Sequence, residues 1–328
     1  MQIKELNKSD NLSIINLWNE SIDDSFIYKR LNEEIYESYF FRNNDEYEIV
    51  SFKALVDNKI VGFSSGVLYP SRNTFYLTMI LVEKDYRLKG IGKKLYEALE
   101  EVFIKIEAIN KVEAFFRNPI NLIWNVPNTL NHEHPNAPGV DLKGDGYLFL
   151  KNLGFRDFAY QNSYYKRIYD YEYSDSVKAR LLKLKEENMT TDFYQIDKHF
   201  GLEDLMKDLN SEAWEKEILD HVALKGKDNT LLVALDGDLV IGFTGPIHRQ
   251  ESGRGYFAGI GIHSAYRGKG VGTLLFSRLC MGFKEIGVDY VTLFTGKNNP
   301  ARNIYEREDF KIVRSWANMR KEIKKWKK

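Results

Sequence analysis

Two short stretches of this 328-residue sequence combine residue types that can hold an anion: Tyr86-Arg87-Leu88-Lys89-Gly90-Ile91-Gly92 and Tyr266-Arg267-Gly268-Lys269-Gly270-Val271-Gly272. Arginine and lysine supply positive charge, and glycine lets a phosphate approach the backbone with no Cβ in the way. After each stretch, apolar residues recur at helical spacing: Ile91, Leu95, Leu99, Val102 and Ile106 in the first, Phe276, Leu279, Phe283 and Ile286 in the second. Each stretch therefore opens a predicted amphipathic helix. The first N–H groups of a helix lack intrahelical partners and face the positive end of its dipole, so a diphosphate suits that spot. Neither copy offers the Gly-x4-Gly-Lys-Ser/Thr of a nucleotide-binding P-loop. The dinucleotide fingerprint fails too, because the spacing in the second copy is Gly-x-Gly-x-Gly and a run of antiparallel strands precedes it.

Elements that position these residues also come in pairs. Arg87 and Arg267, Gly90 and Gly270, and Gly92 and Gly272 are each 180 positions apart, as are Gly62-Phe63 and Gly242-Phe243. Upstream, "LVDNKIVGFSSG" aligns with "LDGDLVIGFTG", each with an Asp-Asn or Asp-Gly turn between β-rich runs, which predicts a hairpin. A third strand is expected over residues 75–82 and 255–262, and another after each helix over 111–116 and 288–294. A short helix and a final strand, "RDFAYQNSYYK" or "KIVRSWANMRKEI", close each copy. From Arg87 to Gly154 is 67 positions and from Arg267 to Asp309 only 42, so the first copy holds 25 extra residues around "NVPNTLNHEHPNAPGVDLKGDG", predicted as a long loop. The charged stretch 169–190 has no counterpart and reads as a linking helix. Residues 1–168 and 191–328 are then the two domains.

The paired motif resembles the signature of the GNAT (GCN5-related N-acetyltransferase) superfamily, Arg or Gln, two residues, Gly, any residue, then Gly or Ala. The resemblance covers nearly the whole chain in a tandem two-domain form. It implies an α/β (α+β mixed) fold of two GNAT-like domains, each a mostly antiparallel mixed sheet flanked by helices. It also implies acetyl-CoA as acyl donor. In the second copy Arg267, Gly268, Lys269, Gly270, Val271, Gly272 and Thr273 would hold the pyrophosphate, Ile260 and Ile262 would pair their backbone with the pantetheine arm, and Asn298 and Arg302 would complete the set. A second possible cofactor site in the first copy comprises Ile80, Val82, Arg87, Leu88, Lys89, Gly90, Ile91, Gly92 and Lys93. Further on, "NNPARNIYEREDF" resembles the family's Asn-x-x-Ala-x-x-x-Tyr-x-x-x-Gly-Phe segment: Asn298, Ala301, Tyr305 and Phe310 match, and Asp309 replaces the usual Gly. The family's tyrosine protonates the departing thiolate, so Tyr305 is the candidate general acid; a phenol with pKa of about 10 can donate at neutral pH without first ionising. The corresponding residue in the first copy is Leu150, which cannot donate. The N-terminal domain is therefore expected to be the degenerate copy and the C-terminal one the catalytic copy.

A general base is not apparent. The strand 255–262 carries no carboxylate, and His263, Glu215, Glu217, Asp220 and His221 are each as easily solvated residues. His132 and His134 suit a polar loop better than a metal site, and no metal is expected. Trp124, His134 and Asp141 of the insertion are a secondary set for contacting the acceptor. With 47 basic and 47 acidic side chains the formal net charge is zero, which gives no support to a nucleic-acid partner. No apolar run approaches the roughly 18 residues of a membrane span, and one cysteine, Cys280, in an apolar helix fits a reducing, cytoplasmic setting. The expected function is acetyl transfer from acetyl-CoA to a primary amine of a small molecule by direct attack. A non-catalytic acyl-CoA-binding protein and a protein acetyltransferase are the alternatives, and monomer and homodimer are both open.

Overall fold

The computed structural model describes residues 1–323 and resolves into two compact units, Met1–Ser163 together with the chain from Val313, and Tyr164–Ile312. Unit 1 runs β1 (Gln2–Glu5), α1 (Asn11–Glu20), α2 (Glu33–Phe40), β2 (Glu48–Val56), β3 (Lys59–Tyr69), β4 (Thr74–Val82), α3 (Ile91–Phe103) and β5 (Lys111–Ala114). The insertion follows as β6 (Trp124–Asn125), β7 (Glu133–His134), β8 (Val140–Asp141) and α4 (Gly146–Asn152), and then β9 (Arg156–Arg167). Strands β1 to β4 are antiparallel neighbours in chain order. The β2–β3 turn is Asp57-Asn58, both at positive φ (49° and 63°), the geometry that matches strand twist and that these residue types tolerate. Helix α3 buries Ile91, Leu95 and Leu99 of the expected apolar stripe together with Tyr96 and Phe103, while Val102 is half-buried and Ile106 lies beyond the helix end. A second cluster centres on Trp18, Tyr36, Phe40 and Phe63.

Unit 2 begins within β9 and continues α5 (Asp175–Glu186), β10 (Met189–Phe193), α6 (Leu202–Leu209), α7 (Glu212–Lys225), β11 (Leu232–Asp236), β12 (Leu239–Thr244), β13 (Ile260–Ile262), α8 (Val271–Glu285), β14 (Tyr290–Gly296) and α9 (Arg302–Arg307). Its strands β10 to β13 form an antiparallel sheet in chain order. Helix α5, capped by Ser174 accepting from the Val177 N–H, packs on α8 and β10 and so belongs to this unit. The core joins Leu275, Phe276, Leu279 and Phe283 of α8 to Val291 and Leu293 of β14. Buried Glu308 accepts from Ser277 Oγ at 2.5 Å and Tyr171 Oη at 2.7 Å, while Lys166 Nζ donates to its carbonyl at 2.6 Å. Cys280 lies nearby, and burial pushes its thiol pKa well up, which keeps it unreactive.

The last strand, β15 (Lys311–Glu322), counts from Val313 onward with unit 1, where it pairs antiparallel with β5 (Met319 opposite Ala114) and with β8 (Trp316 opposite Asp141). The insertion holds it there. Arg314 donates through Nε and Nη2 to Asp141 Oδ2 at 2.9 and 2.5 Å, the Trp316 and Trp124 rings meet edge to face with centroids 5.2 Å apart, and Asn318 Nδ2 donates to the Pro138 carbonyl at 2.6 Å. Gly139 is required: a Cβ would lie 2.6 Å from the Ala317 carbonyl. The expected long loop is therefore partly ordered as short strands. Trp124, His134 and Asp141, weighed above as acceptor contacts, are instead buried in the packing of unit 1.

Two stability predictions follow from buried charge. Asp141→Asn leaves the Arg314 guanidinium uncompensated and is expected to lower unfolding free energy by about 3 kcal/mol in urea titration. His199 of unit 2 is buried, its Nδ1 accepting from the Gln195 N–H at 3.1 Å while Nε2 makes no hydrogen bond among the described residues and lies 3.8 Å from Asp192 Oδ2; burial outweighs that carboxylate and lowers its pKa. The unfolded chain then binds a proton that the native state refuses. Stability is complete above the ordinary imidazole value of about 6.5 and falls as pH drops through it. Thermal unfolding between neutral and mildly acidic pH is expected to show this fall, and His199→Gln to flatten it.

Candidate active site

In unit 2 the site begins where two strands part. Arg254 and Gly255 lead towards β13 beside Tyr290 of β14: Arg254 makes a parallel bridge to Tyr290, and the Gly255 N–H donates to the Tyr290 carbonyl at 2.9 Å. Beyond that point, among the described residues, β13 pairs only with β12. Arg254 fixes the junction, donating from Nε to Thr292 Oγ1 (2.7 Å) and from Nη2 to the Thr292 carbonyl (2.6 Å). Its Nη1 reaches Gln250 Oε1 at 2.8 Å, and burial pushes its pKa down to about 10. Residues 255–262 were expected to be strand throughout, but only 260–262 are. Through 256–259 no regular strand ladder forms: the Tyr256 N–H donates to the His248 carbonyl (2.9 Å), and the carbonyls of Ala258 and Gly259 accept from Trp214 Nε1 (3.2 Å) and Thr244 Oγ1 (2.9 Å).

Register decides which backbone groups of β13 stay free. The His263 N–H donates to the Ile241 carbonyl, so Gly261, two residues earlier, also faces β12 through its pairing with Phe243, and Ile260 and Ile262 direct their N–H and C=O groups the other way. Arg267 Nε donates to the Ile262 carbonyl at 3.1 Å. The first copy repeats this to within 0.1 Å: the Glu83 N–H donates to Val61, Ile80 and Val82 face outward, and Arg87 Nε donates to the Val82 carbonyl at 3.0 Å. Each motif arginine therefore ties its loop to the strand before it, which the sequence pattern did not reveal.

Between that strand and α8 the loop turns through Gly268 (φ 77°) and Gly270 (φ 95°), and no side chain caps the helix. The amides of the first turn are left to meet a ligand or water. Nothing lies within 4 Å of where a Gly268 Cβ would sit, whereas a Gly270 Cβ would lie 2.5 Å from Nη1 of Arg180 on α5. Arg180 was absent from the sequence-based set, since nothing in its local pattern links it to the motif. Lys269 Nζ lies 4.7 Å from the Tyr266 ring centroid. Val271 and Thr273 are buried in the helix, so only their backbone faces the loop. Gly272 lets Ile304 of α9 approach, with Cδ1 at 2.7 Å from a Cβ position. Asn298 is exposed, and Arg302 is committed to Glu306 Oε1 (3.0 Å) and the Lys297 carbonyl (2.8 Å).

Tyr305, on α9, is 4 % exposed, its ring packed against Phe276, Tyr164 and Phe257 with centroids 5.0, 5.8 and 6.0 Å away. No described residue hydrogen-bonds to its hydroxyl, and burial pushes its pKa above the usual phenol value. It stays protonated and its proton is uncommitted. His263 Nδ1 accepts from the Ala265 N–H at 3.2 Å and His221 Nε2 from the Thr230 N–H at 3.4 Å, so both imidazoles have structural duties. In unit 1, α4 presents Leu150 to the core, Leu88 adopts the left-handed φ of 60° that Gly268 adopts freely, and Lys93 pairs with Glu97 at 3.7 Å. Lys89 lies over Tyr86 at 5.2 Å. Strands β4 and β5 part after Tyr76, where Asn118 Nδ2 reaches Thr78 Oγ1 at 3.0 Å.

The model of the Acetyltransferase (GNAT) family matches residues 13–122 and 191–310. The chain belongs to this acetyltransferase family. Solved structures agree in fold. A GCN5-related glucosamine N-acetyltransferase region of a fungal multi-domain GH3 β-N-acetylglucosaminidase superposes with TM-score 0.65 at 18% identity over 98% of this chain, which spans 38% of that protein's length. A GCN5-related N-acetyltransferase from Sphaerobacter thermophilus gives 0.64 at 14% identity, covering 98% of this chain and 95% of that one. A tandem GNAT protein from the clavulanic acid biosynthesis pathway gives 0.57 at 13% identity, covering 98% of each. No curated protein matches the sequence. Among the described residues, no helix is long and apolar enough to cross a membrane.

Gly270→Ala should cost about 1–2 kcal/mol from the left-handed backbone plus only a small increment for moving the flexible end of exposed Arg180, whereas Gly90→Ala, with nothing within 4 Å, should show the backbone part alone. Comparing the unfolding midpoints of the two variants measures the difference.

Proposed function

We propose that this acetyltransferase transfers acetyl from acetyl-CoA to the primary amine of a small molecule by direct attack, with unit 2 as the transferring copy. The observation that carries this reading is the hydroxyl of Tyr305, with no hydrogen-bond partner among the described residues, on a helix that packs against α8 of the glycine motif. The residues present suit the cofactor. The outward backbone of Ile260 and Ile262 offers donors and acceptors to an amide-bearing arm, and the uncapped first turn of α8, with Arg267, Lys269 and Arg180 beside it, favours a diphosphate. Acetyl-CoA would supply an activated thioester. Strand β13 would orient it and the start of α8 would anchor its phosphates; as the neutral amine formed the C–N bond it would lose a proton to water, and as the C–S bond broke Tyr305 Oη would give its proton to the departing sulfur and regain one from solvent.

Unit 1 preserves the strand edge and the arginine tie but has Leu150 in place of a proton donor. That supports a copy that binds the cofactor through Ile80, Val82 and the residues from Arg87 to Lys93, or only maintains the fold. A single buried thiol is compatible with a reducing cytoplasm.

Tyr305→Phe removes only the hydroxyl. Acetyl-CoA-dependent thiol release with an accepted amine should fall about a hundredfold, while CoA affinity by calorimetry stays the same. An unchanged rate would remove Tyr305 from the mechanism.

A further inference from the structure

A carboxylate on α7 meets the segment that leads into β13 from the side opposite Tyr305. Phe257 sends its ring towards α8 and Tyr305, with centroids 5.7 Å from Phe276 and 6.0 Å from Tyr305. Tyr256, one residue earlier, turns the other way, and its hydroxyl donates to Glu217 Oε1 in a short hydrogen bond. The two side chains thus flank one stretch of backbone at the point where β13 and β14 separate.

Glu217 is half-buried, and no lysine, arginine or histidine among the described residues pairs with it. Its neighbours account for themselves. His221, one turn on, is held by the Thr230 N–H, Trp214 by the Ala258 carbonyl, and the nearby Arg254 is spent on Thr292 and Gln250. Tyr256 cannot neutralise the carboxylate, because burial and its bond to Glu217 push the phenol up to about 12. What remains is a carboxyl group with Oε1 engaged by Tyr256 and no hydrogen bond to Oε2 among the described residues, in half-buried surroundings where a charge-assisted hydrogen bond is stronger than in water.

We propose that Glu217, oriented by Tyr256, receives the ammonium group of an aliphatic amine acceptor in unit 2. The proposal rests on the transfer reading for its meaning but not for its test. Glu217 binds and aligns the acceptor before reaction, and Tyr256 is a positioning residue that fixes which carboxylate oxygen is free. It follows that an aliphatic amine, cationic at neutral pH, is preferred over an arylamine, which is neutral there.

Equilibrium binding decides it without turnover. The full chain, with and without CoA, is titrated with 1,4-diaminobutane and with aniline. Wild type should bind the diamine and not aniline, Glu217→Gln should bind the diamine about tenfold or more weakly, and Tyr256→Phe should show an intermediate loss. Glu212→Gln, exposed on the same helix, should bind like wild type. Circular dichroism and unfolding midpoints confirm that the isosteric variant is folded. Equal binding by Glu217→Gln and wild type, or no binding of the diamine to wild type, overturns the proposal. Thiol release is scored separately: a chain that binds the diamine through Glu217 and releases no thiol contradicts the transfer reading alone, and one that acetylates aniline without binding the diamine contradicts this one alone.

Discussion

An unpaired strand edge is the constraint around which unit 2 is organised. Backbone N–H and C=O groups are almost always satisfied in folded proteins, so a strand that leaves one side open needs another arrangement. Here Arg254 locks the two strands together through Thr292, and beyond that lock no described strand pairs with β13 on its outer side. The intervening residues are satisfied individually, Tyr256 by His248, Ala258 by Trp214 and Gly259 by Thr244, and in β13 itself the Ile262 carbonyl is satisfied by Arg267. Among the described residues no hydrogen bond is made on that side by Ile260 or by the Ile262 N–H, and Ile262 lies beside the start of α8, its Cγ1 3.9 Å from where a Gly272 Cβ would sit.

Repetition separates what the fold requires from what chemistry requires. Both copies keep the arginine-to-carbonyl bond, the outward register and the left-handed N-cap glycine, even though the first must hold Leu88 in a left-handed conformation to do so. The scaffold of the loop is thus kept at a cost of about 1–2 kcal/mol. The copies diverge at Leu150 and Tyr305, where one side chain has only apolar surface and the other carries a proton. The family assignment describes both copies, and the difference between them supports transfer in the second.

Much of this was legible in the residues. Helix starts at Gly90 and Gly270, the hairpin at Asp57-Asn58 and the core face of α3 all follow from local rules, which is why they could be read without a structure. The return of β15 to unit 1 could not: its alternating pattern fits any sheet, and its partner is fixed by distant residues such as Asp141, Trp124 and Gly139. The irregular path through 256–259 was hidden for the same reason, since the bonds that replace strand pairing come from Trp214 and Thr244. Arg180 and the Tyr256–Glu217 pair likewise arise from tertiary contact between segments that share no motif.

The central claim is that the open edge of β13 is a cofactor-binding surface. Amide hydrogen exchange of the intact chain, with and without CoA, tests it most directly. The account expects added CoA to slow exchange at Ile260, Ile262 and the first turn of α8 together. Saturating CoA that leaves those amides exchanging as before would contradict it.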